Sequence, residues 1–134
     1  MKRVRLLLVL ATALLTGTIA CVSGESTSKE RSGKPALSPE VLAKGATIYK
    51  TTCAPCHGES GKGDGPAGKI FKPPPRDHTD AAYMDTLKDE EIAKIIQMGG
   101  AVKGKPSMPS NPQIRDKDLE AVIAYVRSLS HKTN

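Results

Sequence analysis

Apolar positions recur at helical spacing in three stretches of this chain. Val41, Leu42, Gly45, Ile48, Tyr49 and Thr52 share one face, and the spacing predicts a helix. Ser38 can cap it, with Pro39 at the first helical position and Glu40 in the first turn. Ile92, Ile95 and Ile96 place a second helix over about Asp89 to Met98. Asp89, Glu90 and Glu91 suit its N-terminal turn, and Gly99-Gly100 stops it. Leu119, Val122, Ile123, Val126 and Leu129, with Tyr125 beside them, form the stripe of a last helix starting near Asp116. A short helix starting at Thr79 or Asp80 takes in Tyr83 and Met84. Between these lie two irregular stretches rich in glycine and proline, Gly58 to Pro75 and Ala101 to Pro112. No strand pattern and no repeat is evident. The expectation is an all-α domain of three main helices and a short one.

The N-terminus has a different pattern. Lys2, Arg3 and Arg5 precede a mostly apolar run from Leu6 to Ala20, softened by Thr12, Thr16, Gly17 and Thr18. A membrane span needs about 20 predominantly apolar residues. This run is shorter and ends in small residues, so residues 1–20 read as a signal peptide. Thr18-Ile19-Ala20-Cys21 resembles a bacterial lipobox, with Thr18 where leucine is usual. Lipidation of Cys21 would give several acyl chains and a stable anchor. Ordinary cleavage after Ala20 is the alternative. Residues 22–36 are small, polar and charged and read as a flexible tether with a reach of roughly 20 Å. The folded domain is expected over 37–134, outside the cytoplasm in the periplasm, held to a membrane through Cys21.

Charge changes the picture little. The chain carries 20 basic and 14 acidic side chains, a net of +6. Without Lys2, Arg3 and Arg5 the basic count falls to 17, a net of +3. Scattered lysines and few aromatics exclude a nucleic-acid surface. One phenylalanine, three tyrosines and no tryptophan make a thin core for a small domain. A large, flat, apolar cofactor would complete it.

Cys53-Ala54-Pro55-Cys56-His57 supplies a reason to expect one. Two cysteines three positions apart, followed at once by histidine, form the pattern for covalent attachment of one c-type haem. Each thiol can add to one haem vinyl group, and His57 can give a nitrogen to the iron. A redox disulfide would want a βαβ context, which is missing. A zinc site would want a second ligand pair. The remaining cysteine is Cys21, and His78 and His131 do not stand at ligand spacing. Lipidation of Cys21 would also account for the odd thiol.

With these residues in place, the stretch from Leu37 to Leu129 resembles class I cytochrome c domains, especially small bacterial monohaem members. Gly45, Tyr49 and Tyr125 match the small-plus-aromatic contact where the first and last helices cross. Gly63-Asp64-Gly65-Pro66 and Pro75-Arg76-Asp77 are similar to the loop of these proteins. Lys88 and Arg115 depart from the family, which often caps these helices with serine, so Asp89 and Asp116 are expected to take over. The resemblance implies a sixth iron ligand, usually methionine, from the loop before the last helix. Met108 in Pro106-Ser107-Met108-Pro109 stands there. Met1 leaves with the signal, Met84 sits on the short helix, and Met98 reads as a core or surface filler. His78 and His131 are the rival ligands; the plainer reading makes both surface residues. The resemblance also implies a backbone carbonyl for the second nitrogen of His57, expected from Pro74 or Pro75. Arg76 would reach a haem propionate or remain a solvated charge. Tyr83, Ile92 and Ile96 would line the haem pocket or serve as ordinary core.

The function so implied is a monomeric one-electron carrier, not an enzyme, working between redox protein partners. Lys62, Lys69, Lys72, Lys103 and Lys105 would steer acidic partners or simply keep the protein soluble. The alternatives are a haem-based peroxidase or small-gas sensor with a labile sixth ligand, and a haem-free module with a redox-active disulfide.

Overall fold

The computed structural model describes residues 38–131. The signal peptide, Cys21, the tether and Leu37 lie outside them. Three long helices carry the fold: α1 (Pro39–Thr52), α4 (Asp89–Met98) and α5 (Asp116–Ser130). Single-turn helices α2 (Ala54–His57) and α3 (Ala81–Met84) stand between the first two. Each irregular stretch contains one 3-10 turn, Pro66–Gly68 and Gly100–Lys103. No strand occurs among the described residues, so the chain is all-α.

The expected entry to α1 is present. Ser38 Oγ accepts a hydrogen bond from the Val41 N–H at 3.2 Å, with Pro39 opening the helix. Asp80 caps α3 in the same way, accepting from the Tyr83 N–H at 3.1 Å. The expected caps of α4 and α5 differ. Asp89 is already inside α4, and Glu91 instead reaches back to accept from the Lys88 N–H at 3.1 Å. Asp116 opens α5 with a left-handed backbone, φ 51°. An aspartate tolerates that conformation better than most side chains. Asp89 instead pairs with Arg127 of α5, whose Nε donates to Asp89 Oδ1 at 2.9 Å. The same guanidinium also donates to the carbonyls of Met84 and Leu87. One half-buried cation therefore ties α3, the turn after it and α4 to α5.

The core sits where α1 crosses α5. Gly45 makes that crossing possible: a Cβ there would lie 2.0 Å from the Ala121 carbonyl oxygen and 2.8 Å from Tyr125 Cβ. Tyr49, one turn on, is 1% exposed and stacks obliquely on Tyr125 with centroids 5.1 Å apart. Val122, Val126 and Leu129 of α5 and Ile92 and Ile96 of α4 are buried as their spacing predicted. Thr52, placed on the apolar face of α1, is exposed, because α1 ends there and the chain turns into the cysteine motif. Met98 is 58% exposed and so fills the surface, not the core.

Gly45→Ala is expected to lower stability by about 1–3 kcal/mol, since the added methyl meets backbone that cannot rotate away. Guanidinium unfolding of the haem-loaded protein checks this. An unshifted midpoint would contradict the close crossing.

Candidate functional site

The cysteine motif forms a turn of its own. The Cys53 N–H still donates to Tyr49 O at 2.8 Å, continuing α1, and the His57 N–H donates to Cys53 O at 2.9 Å. Cys53 and Cys56 are half-buried and both line one cleft. The following loop folds back onto the turn. Gly63 N–H donates to His57 O at 2.7 Å and Gly65 N–H to Cys56 O at 3.1 Å. Gly65 permits that approach, for a Cβ there would come within 2.5 Å of Pro55 O. The loop thereby satisfies the end of a helix only four residues long.

His57 is 7% exposed. Its Nδ1 lies 2.9 Å from the Arg76 carbonyl oxygen. A carbonyl only accepts, so the proton belongs on Nδ1 and Nε2 keeps a free lone pair. Burial lowers the affinity of this imidazole for a second proton, against a smaller opposite effect of the Arg76 bond. A neutral imidazole held in this tautomer is suited to metal ligation, with its other nitrogen already engaged. The expected partner, Pro74 or Pro75, is therefore corrected to Arg76. The carbonyl of Pro75 lies close against Gly63, where a Cβ would come 2.4 Å from its oxygen.

The cleft is apolar and opens to solvent at its mouth. Pro74, Pro75, Arg76, Tyr83, Ile92 and Ile96, all expected around the cofactor, line it. Met108 lines it too, half-buried, on a loop fastened to the end of α4. Gly100 N–H donates to Met108 O at 3.1 Å, and Met108 N–H to Lys105 O at 3.2 Å. Met84 also reaches the cleft, but it is 2% exposed and belongs to the core. His131 is exposed, 3.4 Å from Asp85, and away from the cleft lining. Lys103 pairs with Glu91 at 2.7 Å, while Lys62, Lys69 and Lys72 are exposed on the first loop.

Two features of the site had no sequence signal. The Arg76 guanidinium sits 3.8 Å over the Tyr83 ring, with its Nε buried and without a hydrogen-bond partner. A buried donor of that kind is costly unless an acceptor arrives with a ligand; a carboxylate-bearing cofactor would bring one. The second is His78, expected as a surface residue or a sixth ligand. Its ring stacks on His57 with centroids 4.2 Å apart and planes 18° from parallel. A stack that close leaves no room for a metal between the rings, so His78 cannot face His57 across an iron. Burial, with His57 and Arg76 in lesser parts and against the opposing pull of Asp77, brings its pKa down to about 3.

The thiols also bear on the alternatives. Burial, and secondarily Cys56, pushes Cys53 up to about 11. Redox cysteines of CxxC pairs work through a lowered thiol pKa, so a disulfide exchange role is disfavoured. No cluster of three or more metal-binding side chains occurs among the described residues, and a zinc site has no second ligand pair there.

A family model described as cytochrome c matches residues 42–130, most of the chain. Cytochrome c oxidase subunit 2 of Alkalihalophilus pseudofirmus is 33% identical over 92 residues, covering 67% of this chain and 26% of that protein. The chain thus spans about a quarter of the length of that curated relative. The chain belongs to the cytochrome c family. Its cofactor is a covalently attached haem c, and its chemistry is haem-based electron transfer. The cleft, the tautomer of His57 and the orphaned Arg76 nitrogen fit that group.

Cys53→Ala and Cys56→Ala are each expected to leave one haem vinyl group unsaturated, extending the conjugation. The absorption of the reduced protein should move to longer wavelength while haem stays bound through denaturation. The double variant should lose haem on denaturation. Retention in the double variant would contradict attachment at this motif.

Proposed function

We propose that this cytochrome c is a one-electron carrier with His57 and Met108 as the axial ligands of a single six-coordinate haem, and that it is not an enzyme. Met108 carries this reading: a half-buried thioether lining the same cleft as the neutral His57. Haem supplies reversible ferric–ferrous exchange, and a thioether favours the ferrous state, raising the potential. His57 gives its Nε2 while Arg76 O holds the ring by its other nitrogen. Pro109 beside Met108, and the hydrogen bonds of Gly100 and Lys105 to the Met108 backbone, restrain the thioether. With both axial positions filled, no substrate binds and no acid, base or nucleophile is needed. The Arg76 Nε is the donor available to a propionate.

The same reading places the protein in the periplasm. Lys2, Arg3 and Arg5 followed by the apolar run to Ala20 support export, and Cys21 at the cut supports a lipid anchor. Its partners are redox proteins, approached as a monomer. Lys62, Lys69 and Lys72, exposed on the first loop, and Lys105 at the cleft would attract acidic surfaces; the Glu91 pair of Lys103 reduces that lysine's share. The kinship with an oxidase subunit is compatible with delivery of electrons to a terminal acceptor.

Met108→Ala is expected to abolish the methionine–iron charge-transfer band. It should also lower the potential by a sizeable part of the roughly 0.8 V that axial ligation commands. Carbon monoxide should bind the reduced variant quickly and the parent protein poorly. An unchanged band would move the ligand role elsewhere. Rapid, complete binding by the parent protein would favour a gas sensor or peroxidase with a labile sixth ligand.

A further inference from the structure

His78 is a half-buried aromatic residue that the electron-transfer reading leaves unused. It follows the proline-rich loop, and its backbone N–H donates to Gly61 O at 2.7 Å. On its flank, Asp77 Oδ1 accepts from both the N–H and the hydroxyl of Thr79, at 2.7 and 2.6 Å. The ring is confined as well. A Cβ on Gly61 would lie 3.3 Å from His78 Cβ and 3.5 Å from the Tyr49 hydroxyl. His78 Nδ1 is 3.3 Å from that hydroxyl, which also lies 3.2 Å from Gly58 O. Tyr49 meets the His78 ring edge-on, with centroids 5.9 Å apart. The side chain is thus boxed by α1 and by the two ends of one loop.

We propose that His78 is a positioning residue that fixes the plane of the His57 imidazole by stacking on its face. The geometry separates two constraints. The Arg76 carbonyl holds His57 in the plane of the ring, at Nδ1. A single in-plane hydrogen bond leaves the ring free to rock about its own axis. The near-parallel stack at 4.2 Å blocks that rotation from one side. Second-layer groups of this kind tune a metal through the orientation of its ligand. The plane of an axial imidazole decides which iron d orbitals its π electrons meet, and so it sets the anisotropy of the ferric signal. Tyr49 holds His78 in place, through its hydroxyl and its ring.

The proposal rests on His57 as an axial ligand. The test is electron paramagnetic resonance of the ferric, haem-loaded protein, with visible spectra recorded on the same samples. His78→Leu fills the volume without a flat ring and is expected to shift and broaden the largest g value. His78→Phe restores a flat ring without the Tyr49 hydrogen bond and is expected to return the g value to that of the parent. The methionine–iron band should persist in both. A parent-like signal in His78→Leu, or a Phe variant no closer to the parent than the Leu variant, would overturn the proposal while leaving the ligands intact. A high-spin ferric signal in the parent protein would overturn the six-coordinate reading itself, and the proposal with it.

Discussion

The hydrogen bond between His57 Nδ1 and the Arg76 carbonyl is the contact on which the rest of the site depends. It joins residues 19 apart, so the whole intervening loop must close before it can form. It places the ring proton, leaves the Nε2 lone pair free, and brings Arg76 and Tyr83 to the rim of the cleft. Several features of the loop follow from it. Gly63 and Gly65 let backbone lie against the cysteine turn, and their N–H groups take up carbonyls that a four-residue helix cannot satisfy internally. The glycines are there for contact distance as much as for turning.

The helices serve the same end. Gly45 lets α1 and α5 approach until backbone meets side chain, and Tyr49 then reaches across to Gly58 O and His78. Arg127 anchors α3 and α4 to α5 through two carbonyls and one carboxylate. Charge-assisted bonds from a half-buried guanidinium contribute more than exposed pairs such as Lys44 with Asp118. What remains between these helices is an apolar cleft, not a closed core. With one phenylalanine in the chain, the haem is the large hydrophobic body around which the domain is built.

Much of this was legible in the sequence where chemistry depends on local spacing. Cys53, Cys56 and His57 announce themselves within five residues, and the stripes of α4 and α5 at Ile92, Ile96, Val122 and Val126 keep a helical period. The Ser38 cap is equally local. Contacts between distant residues were not legible. Nothing near Asp89 signals that Arg127, 38 positions later, claims its carboxylate, or that α4 starts at Asp89 itself with Lys88 before it. The carbonyl that meets His57 is that of Arg76, one residue beyond the prolines, a register set by how the loop folds back and not by local sequence. His78, 21 residues beyond His57, reads as an ordinary loop histidine until the loop folds back.

The central claim is a single haem iron held by His57 and Met108. X-ray absorption at the iron edge of the ferric, fully loaded protein tests it most directly. The account predicts five nitrogen scatterers and one sulfur in the first shell. A shell of six nitrogens, or five nitrogens with an oxygen, would contradict it.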